Sequence, residues 1–460
     1  MTTSNAIIAA IATPPAAGGI GIVRVSGAGS IALTARVFVP QSGADLTQSP
    51  GYRAHFGHVL DADGAVLDEA LCLVFRAPHS YTGEDVAELH CHGGLYLVQR
   101  VLRRILAAGA DLPVRVAEAG EFTRRAMLGG RISLAQAEAV ALLIGAQNDA
   151  ALKAASGVLA GALGEKLSAV TERVAAAAAD VGAWVDYPDE DLPEPNADTL
   201  LVALRPAIEA LQELLRGYDQ GRILFSGADT VICGRPNTGK STLMNRLCGF
   251  DRAIVTDAPG TTRDVLEESV RLGDIPLRLA DTAGLRESAD TVEQIGVARA
   301  RARLAAADLV LCVLDGSATL TQEDHALLED CADKRTVLIL NKCDIGAMPL
   351  DLSSWGHPVV SLSAKTGAGL AELQAAVAQR LGTADFVPAD AALISERQRA
   401  ACEEALRILR EAEDDLTRGV TLDAVSVLLE DALTALLTLR GQNATDAVTD
   451  AIFSRFCVGK

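Results

Sequence analysis

The sequence predicts a multidomain protein with an α+β N-terminal domain, an all-α helical domain in two separated parts, and an α/β domain inserted between those parts. Three observations predict this organisation. The chain has 460 residues, more than one hydrophobic core usually supports. The sequence pattern changes along the chain. It begins with short apolar runs and Gly and Pro turns, continues with long runs of helix formers, and then alternates between predicted strands and helices. Helix formers return after the alternating zone, which therefore interrupts a helical domain.

The predicted boundaries follow these changes of pattern. Residues 1–128 contain runs such as "GGIGIVRVSG" and "ALCLVFRAP", which are typical of mixed α+β structure. Residues 129–226 and 385–460 are rich in Ala and Leu, which favour helix, and the prolines of "DYPDEDLPEP" break the first of these zones at an exposed acidic loop. Strands alternate with helices over residues 227–384, a pattern that predicts a parallel sheet.

Composition limits the kinds of partner and compartment. The formal charge of −19 argues against broad nonspecific binding to nucleic acid or acidic membranes, although a local basic patch around Arg100, Arg103 and Arg104 stays possible. Nine cysteines without a CxxC pair are typical of a reduced protein. The N-terminus lacks the basic start of a signal peptide, and no apolar run reaches the ~20 residues of a bilayer span. We therefore expect a cytoplasmic protein with no membrane partner.

The strongest chemical signal is "GRPNTGKS", residues 234–241, which lies between an apolar strand and an amphipathic helix. Its glycines let backbone N–H groups turn towards phosphate oxygens, Lys240 supplies a cation for the β- and γ-phosphates, and the Ser241 hydroxyl can bind Mg²⁺. The pattern predicts a nucleotide site that includes Asn237, Thr238, Gly239, Lys240, Ser241 and Thr242.

Two later segments identify the base as guanine. "LNKCD" places Asn341, Lys342 and Asp344 just after an apolar strand. A carboxylate there can accept hydrogen bonds from N1–H and the 2-amino group of guanine, which adenine cannot offer. "SLSAKTG" then adds a loop on the base side, with Ser363, Ala364 and Lys365. The ordered motifs therefore predict GTP as the nucleotide.

Two segments between these motifs are predicted to contact the γ-phosphate. "TDAPGTT" is the predicted switch, in which a threonine hydroxyl completes the Mg²⁺ shell. In "DTAG", Asp281 can hold Mg²⁺ through water and the Gly284 amide can sense the γ-phosphate. The GTP-binding residues predicted here are Thr256, Asp257, Ala258, Pro259, Gly260, Thr261, Thr262, Asp281, Thr282, Ala283 and Gly284.

The group that orients the attacking water is a separate question. Leu285 follows Gly284, so the glutamine that positions water in Ras is absent. Glu293 follows the switch closely and could position water, or it could be a solvated helix carboxylate. Asn237, inside the phosphate loop, could help to hold a monovalent cation beside the phosphates.

The chain as a whole resembles the MnmE (TrmE) family of tRNA modification GTPases. The resemblance is carried by "TPPAAGGIGIVRVSG", "SYTGEDVAELHCHGG", "AGEFTRRAMLGGRISLAQAEA", "DTAGLRESADTVEQIG" and the final "FCVGK", and it extends over essentially all 460 residues. It implies an N-terminal domain that binds folate and mediates homodimerisation, a discontinuous helical domain, and an inserted P-loop GTPase domain.

The resemblance also implies a reaction. With an FAD-dependent partner of the MnmG type, in a heterotetramer, such a protein forms 5-aminomethyl or 5-carboxymethylaminomethyl uridine at the tRNA wobble position. The one-carbon unit would come from 5-formyl- or methylene-tetrahydrofolate.

Roles for individual residues follow from the same resemblance. K⁺ would be held by Asn237, Thr256, Ala258 and Thr261 and would replace an arginine finger, while Mg²⁺ would be held by Ser241 and Thr262. Glu293 falls at the family's catalytic glutamate. Folate would contact Arg24, Glu88, Arg131 and Lys460. Arginine at position 131, where a close family member has lysine, keeps the charge but changes the hydrogen-bond geometry. Cys457 is a candidate for the modification chemistry or a structural thiol.

Other functions stay open from the residues alone. A GTPase switch in ribosome assembly would share the GTP motifs, but such factors usually carry a basic RNA-binding appendage that this acidic chain lacks. A one-carbon transferase with a vestigial GTPase domain is disfavoured by the intact motifs. "HCH", residues 90–92, invites a metal interpretation, although adjacent residues point in different directions.

Overall fold

A computed structural model describes residues 6–187, 193, 195–250, 267–280, 304, 306–346, 348, 350–384, 391–442, 445–454, 456, 458 and 459. The chain divides into two compact units, residues 1–141 with 436–460 and residues 142–435. The finer division into segments 1–128, 129–226, 227–384 and 385–460 stays a prediction. Within the described residues, no helix combines the length and apolar character that a membrane crossing requires.

The first unit is built on a mixed sheet. Its strands are β1 (Ile7–Ile11), β2 (Ile20–Ser26), β3 (Phe38–Pro40), β4 (Arg53–Leu60), β5 (Val66–Phe75), β6 (Val86–His92) and β7 (Val114–Val116). They lie in the order β3-β4-β5-β6-β2-β1-β7. The described pairs are antiparallel except β1 with β7, which are parallel.

Helices cover this sheet and close its core. They are α1 (Ser30–Ala35), α2 (Leu95–Ala108) and α3 (Glu121–Leu128). In β5 every second side chain is buried, namely Ala70, Cys72 and Val74. In α2 the buried Val98, Val101 and Ile105 lie on one side of the helix. The strand and the helix therefore each turn one apolar face towards the core. The predicted α+β character of the N-terminal region is confirmed.

The end of the chain returns to this unit. A helix runs over Asp446–Phe453 from the cap Thr445, whose side chain accepts the Val448 N–H. Phe453 and Phe456 are buried with ring centroids 5.4 Å apart. Val458 then forms an antiparallel bridge to Ala119. Gly459 has φ +103°, and a Cβ there would lie 2.2 Å from the Ile11 carbonyl oxygen, so glycine permits this close approach.

Long helices form much of the second unit. Along the chain these helices are α4 (Leu134–Gly145), which begins in the first unit, α5 (Asp149–Leu159), α6 (Ala162–Asp186) and α7 (Ala197–Ser226). Asn148 and Asn196 cap α5 and α7 with side-chain oxygens that accept backbone N–H groups. The stop of α6 and the start of α7 flank the proline-rich acidic segment, as the sequence predicts.

The same unit contains a mostly parallel sheet. Its elements are β8 (Ala228–Cys233), α8 (Lys240–Phe250), β9 (Glu267–Leu272), β10 (Ile275–Ala280), β11 (Leu309–Asp315), α9 (Gln322–Cys331), β12 (Thr336–Asn341), β13 (Val359–Ser361) and α10 (Leu370–Leu381). The strand order is β13-β12-β11-β8-β10-β9, and β9 alone is antiparallel among the described pairs. The apolar run of β11 is almost wholly buried, as expected for a central parallel strand.

Helices resume after the sheet, as the sequence predicts. They are α11 (Glu396–Arg418) and α12 (Leu422–Leu439), followed by the C-terminal helix α13 (Asp446–Phe453). Ser395 caps α11 by accepting the Gln398 N–H, and the buried Cys402 thiol on α11 lies 3.7 Å from the Leu211 carbonyl oxygen of α7. The structure thus confirms that an α/β region interrupts helical structure.

Candidate functional site

The loop at the carboxyl end of β8 has the conformation that a phosphate-binding loop needs. Gly234, Asn237 and Gly239 have φ of 149°, 63° and 98°. A Cβ on Gly234 would lie 2.3 Å from the Val313 carbonyl oxygen, and one on Gly239 would lie 2.1 Å from Asn341 Nδ2. Both positions therefore require glycine, and the chain can turn directly into the N-terminus of α8, where backbone N–H groups favour anions.

Lys240 closes this loop with its ammonium group. Lys240 Nζ donates hydrogen bonds to the carbonyl oxygens of Gly234 at 2.8 Å and Arg235 at 2.7 Å. The Thr238 hydroxyl is buried and donates to the same Arg235 carbonyl at 3.0 Å. Ser241 and Thr242 are exposed in the first turn of α8. The arrangement places one cation and two accessible hydroxyls at the mouth of the loop.

Asn341 joins the phosphate loop to the loop that follows β13. Its Nδ2 donates to the Thr238 carbonyl oxygen at 2.8 Å, and its Oδ1 accepts the Ala364 N–H at 2.9 Å. The side chain is only 3% exposed, so both bonds are made away from water. The Asn341 amide therefore holds together two predicted binding segments, around Thr238 and Ala364, which lie 103 and 23 residues from it along the chain.

The remaining guanine-motif residues are held at the same edge of the sheet. Lys342 Nζ donates to Asp315 Oδ2 at 2.6 Å, and the Ser363 hydroxyl donates to Asp344 Oδ1 at 2.7 Å. Burial opposes ionisation of the Asp315 carboxyl, but hydrogen bonds from Lys342 and Ser317 outweigh it and hold its pKa below the ordinary value. The exposed Asp344 carboxylate is therefore fixed by one oxygen beside an ordered base-side loop.

A cleft of about 330 Å³ opens next to these residues. Its lining comes from α8 and from the loop after β13, and includes Thr242, Asn245, Arg246, Gly249, Ala364 and Lys365. Arg246 Nε donates to the Ala364 carbonyl oxygen at 3.1 Å and so ties the helix to that loop. The cleft thus brings together Thr242, Ala364 and Lys365, which the sequence assigns to GTP.

Sequence reasoning missed two carboxylates that support the site. Arg235 Nε, inside the phosphate loop, donates at 2.7 Å to Oδ1 of Asp324, a buried residue of α9. Asp315 is the second, through its bond to Lys342. A signal for Asp315 was present, because it ends the apolar run "LVLCVLD" at the carboxyl edge of a parallel strand. Asp324 looks in the sequence like an ordinary first-turn acid.

Several predicted residues lie outside the described residues. They are Thr256, Asp257, Ala258, Pro259, Gly260, Thr261, Thr262, Asp281, Thr282, Ala283, Gly284, Glu293, Cys457 and Lys460. Of the predicted K⁺ and Mg²⁺ ligands, Asn237 and Ser241 are described.

A second group of predicted residues meets in the first unit. Arg24 on β2 and Glu88 on β6 form an ion pair, with Nε and Oε1 2.7 Å apart. Arg24 Nη1 also donates to the Gly459 carbonyl oxygen at 3.4 Å. Its guanidinium lies 5.6 Å from the Tyr81 ring centroid and 5.4 Å from that of Phe122. The sequence did not single out these two aromatic residues.

The setting of Glu88 favours the charged form of its carboxyl. Burial opposes ionisation of its carboxyl, but the charge and hydrogen bonds of Arg24 and His90 outweigh it and hold the pKa of Glu88 below its usual value. Its second oxygen, Oε2, lies 3.1 Å from His90 Nε2, while His92 Nδ1 pairs with Asp68 at 2.7 Å. The two histidines of "HCH" therefore contact different carboxylates, Glu88 and Asp68.

Arg131 lies on the rim of this group. A Cβ built on Gly83 would come within 3.2 Å of Arg131 Cγ, so the arginine side chain rests on the loop that carries Tyr81. The structure therefore brings Arg24, Glu88 and the chain end together, with Arg131 against the neighbouring loop.

Known families match both parts of the chain. A model described as "GTP-binding protein TrmE N-terminus" matches residues 7–131, and one described as "MnmE helical domain" matches residues 134–457. The G domain of the T. maritima FeoB iron transporter is a solved structure with 28% identity that covers 33% of this chain and 98% of its own, with a TM-score of 0.26.

Curated relatives match over the full length. The tRNA modification GTPase MnmE of Chloroflexus aurantiacus is 44% identical over 99% of this chain and 100% of its own. The proteins of the same name from Carboxydothermus hydrogenoformans and Heliobacterium modesticaldum are 41% and 43% identical, each over 98% of this chain and 99% of its own. On these matches, the chain belongs to the MnmE family of tRNA modification GTPases.

Proposed function

We propose that this protein is a potassium-activated GTPase that works with an MnmG-type FAD protein on the wobble uridine of tRNA. In this reaction the pair forms 5-aminomethyl or 5-carboxymethylaminomethyl uridine with a one-carbon unit from a tetrahydrofolate. The observation that carries the proposal is the pair of hydrogen bonds by which Asn341 joins the phosphate loop to the guanine-side loop. The same chain also pairs Arg24 with Glu88 beside its C-terminal Gly459.

Different residues of the chain would bind the phosphates and the base of GTP. Lys240, which now bonds to two loop carbonyls, would exchange them for the β- and γ-phosphate oxygens, because an anion offers a stronger charge-assisted bond. Asp344 would accept N1–H and the 2-amino group of guanine, while Ser363 holds its carboxylate in place. Thr242, Ala364 and Lys365 would line the base side of the cleft.

Two cations complete the proposed hydrolysis site. Mg²⁺, held by Ser241 and Thr262, would neutralise charge on the β- and γ-phosphates. K⁺, held by Asn237, Thr256, Ala258 and Thr261, would supply the positive charge that an arginine finger supplies in other GTPases. Glu293 would orient the attacking water, since the chain has Leu285 where Ras has its glutamine.

The Arg24 group is the proposed folate site. The Arg24 guanidinium lies near two aromatic rings and pairs with the Glu88 carboxylate, and this mostly buried polar group suits recognition of a flat ring with donor groups and an anionic tail. Arg131 and Lys460 would add positive charge for the glutamate tail, and Cys457 is proposed for the modification step or for packing. The tetrahydrofolate would supply the one-carbon unit.

The partners follow from the proposal. The first unit would mediate a homodimer, an MnmG-type protein would complete a heterotetramer, and tRNA would be the substrate. The eight described cysteines form no disulfide with one another, which is in keeping with work in the cytoplasm.

The potassium requirement gives the direct test of the hydrolysis mechanism. GTP turnover of the full-length protein should be about tenfold or more faster in KCl than in NaCl at equal ionic strength, since one well-placed charge contributes at least ~1.4 kcal/mol to the barrier. Lys240→Ala serves as the control, with low turnover in both salts. Equal rates for the wild-type protein would rule out a cation-bridged mechanism.

A further inference from the structure

Three cysteines meet behind the phosphate loop. Cys233 ends β8, Cys312 lies in the middle of β11, and Cys331 ends α9. The sulfurs of Cys233 and Cys331 are 4.0 Å apart, and all three sulfurs lie within 4.8 Å of one another. In the part of the chain that the structure describes, no other His, Cys, Asp or Glu trio has its ligand atoms so close. We call these three residues the thiol cluster.

The spacing of the sulfurs fits a single bound metal ion. A metal–sulfur distance of ~2.3 Å places tetrahedral ligands about 3.8 Å apart and trigonal ligands about 4.0 Å apart. The Cys233–Cys331 pair already has that separation, and the other two pairs, within 4.8 Å, need to shorten by less than about 1 Å. Three residues that are far apart in sequence are thus held in ligand geometry by the sheet and α9.

The surroundings select a soft ion. Cys312 and Cys331 are fully buried, and their neighbours are apolar side chains such as Leu328 and Val310. Hard cations prefer oxygen ligands, whereas thiolates select Zn²⁺ and Cu⁺. Cys233 is the partly exposed member and adjoins Gly234, so the phosphate loop offers the route of entry.

Metal binding deprotonates each coordinating thiol, so the site needs no thiolate before the ion arrives. As each sulfur binds, its proton leaves to solvent and no oxidation takes place.

We propose that the thiol cluster binds one thiophilic metal ion, Zn²⁺ or Cu⁺, through the sulfurs of Cys233, Cys312 and Cys331. The bound ion joins β8, β11 and α9 directly behind the phosphate loop. An ion that binds only the folded protein stabilises it by mass action, so the metal should raise the melting temperature of the second unit.

The experiment uses the full-length protein, purified under reducing conditions and freed of metal with a chelator. It is titrated with Zn²⁺ or, without oxygen, with Cu⁺, and bound metal is counted by elemental analysis after gel filtration. Wild-type protein should hold one equivalent of at least one of these ions, and Cys331→Ala should hold none. Cys402→Ala removes an equally buried thiol outside the cluster and should keep the full equivalent.

A milder variant guards against loss of folding. Cys312→Ser keeps the side-chain size, and metal affinity should fall roughly 100-fold or more while circular dichroism stays unchanged.

A Cd²⁺ titration should show charge-transfer absorption for three thiolates in the wild-type protein and for two in Cys312→Ser. The proposal is overturned if wild-type protein binds no metal, if Cys331→Ala binds as much as wild type, or if the isolated protein has a Cys233–Cys331 disulfide.

Discussion

At the scale of single residues, Asn341 has the largest structural consequence for the nucleotide site. Both ends of its amide are used, one by the phosphate loop and one by the loop after β13, and the side chain is buried. Removal of a buried partner leaves a donor and an acceptor unsatisfied, which costs more than the net value of the bonds themselves. The residue that looks like a base contact in the sequence is therefore also the bond that aligns two loops.

Asn341→Ala should lower the free energy of unfolding by about 2–4 kcal/mol, since two buried backbone groups lose their partners. It should also weaken GTP binding tenfold or more because the loops lose their alignment. Urea unfolding and calorimetric titration with GTP measure the two effects. Gln379→Ala, an exposed amide on α10, is the control and should change neither. Wild-type affinity in Asn341→Ala would show that the loops hold their positions without this amide.

At the scale of secondary structure, α9 links its own cap to the phosphate loop. Asp324 and Thr321 form a capping box in which each side chain bonds to the other's backbone N–H. Asp324 additionally accepts the Arg235 guanidinium, so one buried carboxylate serves the helix start and the loop. Burial opposes its ionisation, but the backbone bond from Thr321 and the bond from Arg235 outweigh it and hold the pKa of Asp324 below its ordinary value.

Asp324→Ala should lower the free energy of unfolding by about 1–3 kcal/mol at pH 7. Because the native pKa lies below the unfolded value of ~3.9, the stabilisation is complete above that value and is lost as the pH falls through the native pKa. The difference in free energy of unfolding between wild type and variant should therefore become smaller in strong acid. Denaturant unfolding from pH 7 to pH 2 measures this difference in free energy. Glu323→Ala, a first-turn acid outside the capping box, should cost under ~1 kcal/mol, and a difference that stays constant with pH would contradict the account.

The C-terminal segment is a second element with a defined task. It contacts the segment before α3 through the Val458–Ala119 bridge and β1 through the close approach of Gly459 to Ile11, and its Gly459 carbonyl accepts a bond from Arg24. Deletion of residues 457–460 should weaken binding of 5-formyltetrahydrofolate tenfold or more, because Arg24 loses its bond to the Gly459 carbonyl and the proposed folate site loses the charge of Lys460. Equilibrium dialysis measures this affinity.

Two comparisons make the deletion informative. Lys460→Ala separates the loss of one charge from the loss of the Gly459 bond and should have an intermediate affinity. GTP affinity of the deletion variant should equal that of the wild-type protein, since the nucleotide loops belong to the other unit. Unchanged folate affinity after the deletion would remove the chain end from the site.

At the scale of the whole molecule, local patterns in the sequence sufficed for the fold class. Buried apolar strands, helix formers and the proline-rich break all act over a few residues, so each is visible in a short window. The motif "GRPNTGKS" predicted a phosphate loop for the same reason, because its glycines are required by the local backbone.

The supporting bonds of the sites could not be predicted in this way. Arg235 and Asp324 are 89 residues apart, and Arg24 and Gly459 are 435 apart. Such pairs exist only because strand order and helix packing bring them together. The spacing of Thr321 and Asp324 marks a capping box, but nothing in the neighbouring sequence indicates the bond from Asp324 to Arg235. Tyr81 and Phe122 were missed for the same reason, since an aromatic residue near a turn looks like ordinary core.

The central claim is that GTP hydrolysis by this chain drives modification of the tRNA wobble uridine. Mass spectrometry of tRNA nucleosides tests it most directly, in a strain that lacks the gene and carries either the wild-type chain or Glu293→Ala on a plasmid. The account predicts that 5-aminomethyl or 5-carboxymethylaminomethyl uridines disappear in the deletion strain, return with the wild-type chain, and stay absent with Glu293→Ala. Normal levels of these nucleosides in the deletion strain would contradict it.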